Sequence, residues 1–272
     1  MEDVMNSVEL IQEGKLSEAR ESLVSRIKAS PGDTKARTLL FQVLAFYGEW
    51  DKVVRHLDLL ISQLPETATG VLVYRNLAAA EKTRQEVAAG RQMPDFMTDP
   101  PSFLSSLLEA RRLLADGDTS AASSLLDMVA EQTQEASGRT NIEAFYGFSE
   151  CDATLTGIME VFVHDRYIWF PIASIRELSV QKPKTLLETI WAPGRIVTWD
   201  GLTIECFLPV LYPGTSTFAG DQIRMGRMTD WIDLGNQNYQ GVGQHLFMVG
   251  NQEKSLLELG EITFNPPVAE AD

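Results

Sequence analysis

"GKLSEARESLVSRIKASPG", residues 14–32, and "GEWDKVVRHLDLLISQLP", residues 48–65, carry the same punctuation in two places. A shift of 34 positions lays Gly48 on Gly14, Trp50 on Leu16, Val53 on Ala19, Leu57 on Leu23, Ile61 on Ile27 and Pro65 on Pro31. Ala19, Leu23 and Ile27 recur every fourth residue, the spacing of one helix face. The Gly supplies the left-handed residue that ends the preceding helix, and the Pro stops the following one. Ser17 and Asp51 stand where an N-cap is wanted. A period of about 34 residues is that of tetratricopeptide repeats, stacked pairs of antiparallel helices. Gly117, Ala122 and Leu126 repeat the offsets without a closing Pro. The segment 67–90 reads as one long helix, and 91–101 as a linker containing Pro94, Pro100 and Pro101. So few regular copies predict an array that leans on the rest of the chain for burial.

From Glu143 the texture changes to runs rich in Val, Ile, Phe, Tyr and Trp, such as "MEVFVHDRYIWFPIASI" (159–175). Two β-rich runs joined at Asp200-Gly201 read as a hairpin, and a short helical piece is expected in 183–190. The predicted fold class is α+β, with TPR-like α-hairpin repeats over 1–138 and a β-rich part, a small sheet or partly open barrel, over 139–272.

The chain has 272 residues, 44% hydrophobic and 22% charged, with a net charge of −15. An acidic balance with no basic patch argues against nucleic acid or an anionic membrane surface as partner. No apolar run is long enough to span a bilayer and no signal segment opens the chain, which predicts a cytoplasmic address. Cys151 and Cys206 lack disulfide or metal spacing and read as small buried hydrophobes. His56, His164 and His245 have no paired-ligand spacing, so neither a metal nor a cofactor is expected. Gly241-x-Gly243 lacks the rest of a phosphate loop and reads as a turn.

In the repeat register the first helix of each pair would line a concave face. That face falls on Val4, Val8 and Ile11, then on Lys35, Gln42 and Phe46. These residues either receive a partner's helix or extended peptide through anchors three or four residues apart, or pack on another element of the same chain. For catalysis, Asp152, Glu160, Asp165 and Glu205 could pair as acid and base if the sheet brought them together. A deep pocket joining Asp152, Arg166 and Arg227 would favour that alternative, an enzyme with an Arg/Asp/Trp cleft.

"CDATLTGIMEVFVHDRYIWFPIASI", "WAPGRIVTWDG", "FLPVLYPGTS" and "RMGRMTDW" together resemble the ImpE (TagJ) family, accessory proteins of bacterial type VI secretion. The resemblance covers about residues 8 to 263. Its strand motif is kept at Arg166, Tyr167 and Trp169, and later positions at Arg227 and Trp231. The family's Asp-x-Arg-Leu-Gly-Pro-x-Leu-Glu stretch is altered here to Asp152, Thr154, Leu155, Thr156 and Glu160. The resemblance implies a non-enzymatic cytoplasmic adaptor. It would bind the N-terminal helix of the small subunit of the contractile sheath, with the sheath-recycling ATPase as a second candidate partner.

Overall fold

The structure is a computed structural model describing residues 2–267, with side chains from residue 6 onward. Two α-hairpins open it in the expected register: α1 (Glu2–Gln12) with α2 (Leu16–Ala29), and α3 (Thr34–Phe46) with α4 (Trp50–Gln63). Leu16 and Trp50, Ala19 and Val53, and Leu23 and Leu57 are all buried at matching positions. The turns place Gly14 at φ +80°, Gly48 at +63° and, in the third hairpin, Gly117 at +84°. Between these units runs the long α5 (Ala68–Ala88), and the third hairpin is α6 (Leu104–Ala115) with α7 (Thr119–Gln132).

The chain turns to strand at β1 (Ser137–Thr140), followed by β2 (Ala144–Tyr146), β3 (Phe148–Glu150), β4 (Ile158–Val163), β5 (Arg166–Pro171), β6 (Ile175–Val180), β7 (Trp191–Thr198) and β8 (Thr203–Pro209). After a four-residue helix, α8 (Asp221–Arg224), come β9 (Thr229–Gly235), β10 (Asn238–Gly243), β11 (Leu246–Val249), β12 (Gln252–Ser255) and β13 (Glu261–Phe264). An open antiparallel sheet runs β2-β1-β13-β6-β7-β8-β4-β5, beside a β12-β11-β3 sheet and a β9-β10 ribbon. The sheet is open, so the partly open barrel gives way to the sheet alternative. The hairpin at Asp200-Gly201 joins β7 to β8, and the expected helical piece is a single 3-10 turn at Leu187–Thr189.

The large sheet is covered on both faces around β4 and β5. Tyr167 and Trp169 enter the core shared with the helices, while Ile168 and Phe170 enter the core behind the sheet with Phe148 and Phe247. Burial on both sides explains why these strands read as nearly unbroken apolar runs. The 91–101 linker is not loose: Trp169 N donates to Asp95 O at 2.8 Å, so the linker pairs with the edge strand β5, a standard way of protecting a sheet edge.

The second half also closes the ends of the helices in the first. Neither α2 nor α4 has a side-chain N-cap of its own, contrary to the expectation for Ser17 and Asp51. Asp221 from α8 instead accepts from Ser17 N and Ser17 Oγ, both at 2.8 Å. Arg227 Nη2 donates to Ile11 O at 2.9 Å and Gln12 O at 3.0 Å, carbonyls in the last turn of α1. This docking leaves no room beside Gly14, where a Cβ would lie 2.2 Å from Gln222 Nε2 and 2.8 Å from Arg227 Nη1. At Gly117, with a similar φ, a Cβ would meet nothing within 4 Å. Gly117→Ala should therefore cost only the left-handed backbone penalty, about 1–2 kcal/mol, and Gly14→Ala that penalty plus the loss of the Arg227 bonds to Ile11 O and Gln12 O as the flexible ends of Gln222 and Arg227 move aside. Urea denaturation of the two variants measures the difference, and equal losses would contradict the close docking of 221–227 on the first turn.

Candidate functional site

Glu160 stands in the middle of β4, in "IMEVFV", facing the helices. A lone carboxylate there would be prohibitively costly to bury, so it must be paired. Its partner is Arg84 on α5: Nε donates to Glu160 Oε1 at 2.9 Å and Nη2 donates to Oε2. The same Nη2 reaches Leu211 O at 2.8 Å, tying α5 to the segment after β8. Tyr167 Oη donates to Glu160 Oε1, and Trp169 Nε1 donates to Tyr167 Oη at 2.5 Å. Arg84, Glu160, Tyr167 and Trp169 are all buried.

His245 joins this group from the other side. Its Nδ1 lies 3.0 Å from Glu150 Oε2 and its Nε2 3.2 Å from Glu160 Oε2. Burial alone would lower its pKa, but the two carboxylates outweigh burial and raise it to about 9. Both ring nitrogens therefore donate, and the 3.3 Å approach of Arg84 Nη2 to His245 Nε2 is a meeting of two donors on one carboxylate oxygen. Burial would also raise the Glu160 pKa, yet Arg84 and His245 hold it well below the usual carboxylate range. Tyr212 Oη donates to Glu150 Oε1 at 2.7 Å. Asp152 accepts from Gly241 N at 3.0 Å and Thr154 N at 2.7 Å, and burial raises its pKa to about 6. The result is a buried ionic junction joining α5, β3, β4, β5 and the segments around 211 and 245.

The residues expected to act as a group are dispersed. Tyr167 and Trp169 belong to the junction. Arg166 pairs at the surface with Asp95 at 3.0 Å, Arg227 caps α1, and half-buried Trp231 packs on Tyr212 with ring centroids 5.9 Å apart. Asp152, Arg166 and Arg227 each have a different set of partners, so the convergent cleft imagined for an enzyme does not form from them.

The proposed groove also changes. Ile11 is 6% and Phe46 1% exposed, both within the core shared by the two halves, so the same-chain alternative holds for them. The aromatic chain Phe41, Tyr74, Trp191 and Trp50 shows why: Trp191 from β7 fills the face that a free-standing array would leave open. Val8 is 39% exposed, Lys35 is exposed and Gln42 is half-buried. The Val4 side chain lies outside the described residues. His245, Arg84 and Glu150 were missed as a set, although Glu160 inside an apolar strand was a legible demand for a buried cation.

The structure is an array of α-hairpins joined through buried charges to an open antiparallel sheet. Residues 143–263 match the ImpE protein family. Over 268 residues the chain is 32% identical to the type VI secretion system accessory component TagJ of Pseudomonas aeruginosa, covering 96% of this chain and 92% of that protein. A Vibrio parahaemolyticus protein solved by X-ray crystallography superposes with a TM-score of 0.89 at 26% identity, over 97% of this chain and 99% of that one. The chain belongs to the ImpE (TagJ) family of type VI secretion accessory proteins.

The junction predicts the pH response. A folded-state pKa of about 9 against 6.5 in the unfolded chain means that imidazolium stabilisation is complete below pH 6.5 and lost as pH rises through 9. Both thiols are pushed up to about 12, so they affect stability only toward and above the ordinary thiol value of 9.0. Tm should fall by several degrees from about pH 6.5 to 8.5, since one pKa unit is worth about 1.4 kcal/mol and 1 kcal/mol shifts Tm by roughly 2–4 °C at this size. His245→Gln should have a lower Tm at pH 6.5 and a flatter profile across that window. An unchanged slope would place the proton elsewhere.

Proposed function

We propose that this chain is a non-enzymatic cytoplasmic adaptor of type VI secretion that binds the N-terminal helix of the small sheath subunit. The observation that carries the reading is its 32% identity, over 96% of the chain, with an accessory component of that system. Two structural features support it. The carboxylates, imidazole and phenols of the junction are buried and bonded to one another, an arrangement suited to stiffness. The first helices also leave Val8, Lys35 and Gln42 toward solvent, a mixed surface on which a helix can lie. Among the described residues no helix is long and apolar enough to cross a membrane. The sheath-recycling ATPase is the second partner in this reading, reached through the sheath subunit.

Fluorescence anisotropy with a labelled peptide of the sheath subunit's N-terminal helix, and size-exclusion chromatography with the whole subunit, test the proposal. Binding should be saturable and should vanish when the helix is deleted from the subunit. Val8→Asp should weaken it roughly 5- to 30-fold, about 1–2 kcal/mol, with Tm kept. Phe46→Ala should instead cost about 3–5 kcal/mol of folding stability, as for other buried Phe. No binding by the subunit, with or without its helix, would contradict the proposal.

A further inference from the structure

The two outer edges of the large sheet are treated differently. The linker covers β5, where Trp169 N is bonded to Asp95 O. Elsewhere, β12 bears Glu253 and Lys254, and on β9 the side chains of Asp230 and Asp233 accept from Trp231 N at 2.9 Å and Gly235 N at 2.8 Å. Charges and side-chain bonds of this kind keep an edge from pairing with another strand. The opposite edge of the large sheet, β2, reads Ala-Phe-Tyr and has neither among the described residues. Ile142, in the turn that leads into β2, is 91% exposed, and Tyr146 within it is 73% exposed.

The ladder fixes which backbone groups of β2 are open. Thr140 N donates to Glu143 O at 2.8 Å and Gly147 N to Ala136 O at 3.0 Å, and the register between them pairs Arg139 with Ala144, Gly138 with Phe145 and Ser137 with Tyr146. Antiparallel bonds alternate along a strand, so Phe145 turns its N–H and C=O to β1, while Ala144 and Tyr146 turn theirs outward. Two donors and two acceptors therefore stand in a row along the edge. A second β2, antiparallel and related by a two-fold axis at Phe145, matches that row completely. Ala144 of each copy then lies opposite Tyr146 of the other, and four bonds use every open group. The side chains agree with the same register. It sets Tyr146 against the methyl of Ala144, and beyond that methyl stands Arg139, two strands or about 10 Å away. The Arg139 side chain has no ion pair or hydrogen bond among the described residues, whereas Tyr146 Oη donates to Glu135. A cation of one copy thus meets an aromatic ring and a carboxylate of the other, once on each side of the axis.

We propose that β2 is a homodimer edge, at which a second copy of this chain adds its own β2 and the two large sheets become one across a two-fold axis. The inference does not draw on the adaptor reading. A contact of this size belongs to the weak class of interface, so sedimentation velocity on the full chain is run from micromolar to submillimolar concentration. It should show a reversible monomer–dimer equilibrium. Ala144→Pro removes an N–H that faces outward and leaves the bonds to β1 in place, as prolines on edge strands do. Two of the four bonds between copies are lost, and dimerisation should weaken about tenfold or more. Arg139→Glu, at an exposed position, brings a carboxylate against Glu135 of the second copy and should weaken it by a similar factor. Adding Glu135→Arg to that variant should restore the dimer. The Tm of each variant, measured where the protein is monomeric, should stay within a few degrees of the parent. A chain that stays monomeric throughout would overturn the proposal, and so would a dimer that withstands both Ala144→Pro and Arg139→Glu.

Discussion

The ion pair between Arg84 and Glu160 is the constraint on which the rest depends. A charge placed at the centre of β4, a strand buried on both faces, requires its countercharge at a fixed distance and angle. That requirement places α5 over β4 and β5. Because the same guanidinium bonds Leu211 O, and the same carboxylate takes His245 and Tyr167, the pair fixes three further segments of the sheet half relative to the helices. Buried ion pairs are weak evidence of net stability, since desolvation can cancel the attraction. Their effect is positional, and here the position is that of one half of the chain on the other.

This arrangement changes what the helical repeats can be. A free-standing array of two regular hairpins would expose the inner faces of its first helices. Here Trp191, Tyr212 and the 221–227 segment occupy or seal that side. Of the expected groove residues, this packing leaves Val8 on α1 and Lys35 on α3 toward solvent.

Much of the helical half was legible because its signals are local. A left-handed Gly, a four-residue apolar spacing and a helix-stopping Pro are all decided within one hairpin, and the hairpins formed in register. The Asp200-Gly201 turn was legible for the same reason. The fate of Phe46 and Ile11 was not, since the 34-residue register says which way a side chain faces within its helix pair and nothing about a sheet more than a hundred residues later. The N-caps of α2 and α4 were misjudged likewise: neither Ser17 nor Asp51 caps its helix, and at α2 the task falls to Asp221. Of the residues the family motif marks, Tyr167 and Trp169 lie together in the junction, while Arg166, Arg227 and Trp231 have separate partners. Glu160 reads from the sequence as half of an acid–base pair, although a carboxylate amid five apolar neighbours already calls for a buried cation.

A double-mutant cycle on the junction tests this account most directly. Arg84→Met, Glu160→Leu and the double variant are unfolded in urea at pH 7. Each single change strands a buried charge and should cost about 3–5 kcal/mol. The double change removes both charges and should cost less than the sum of the singles by more than about 1 kcal/mol, the mark of directly coupled residues. Losses that simply add would mean that Arg84 and Glu160 are stabilised independently, and that the two halves of the chain are held together by something other than this pair.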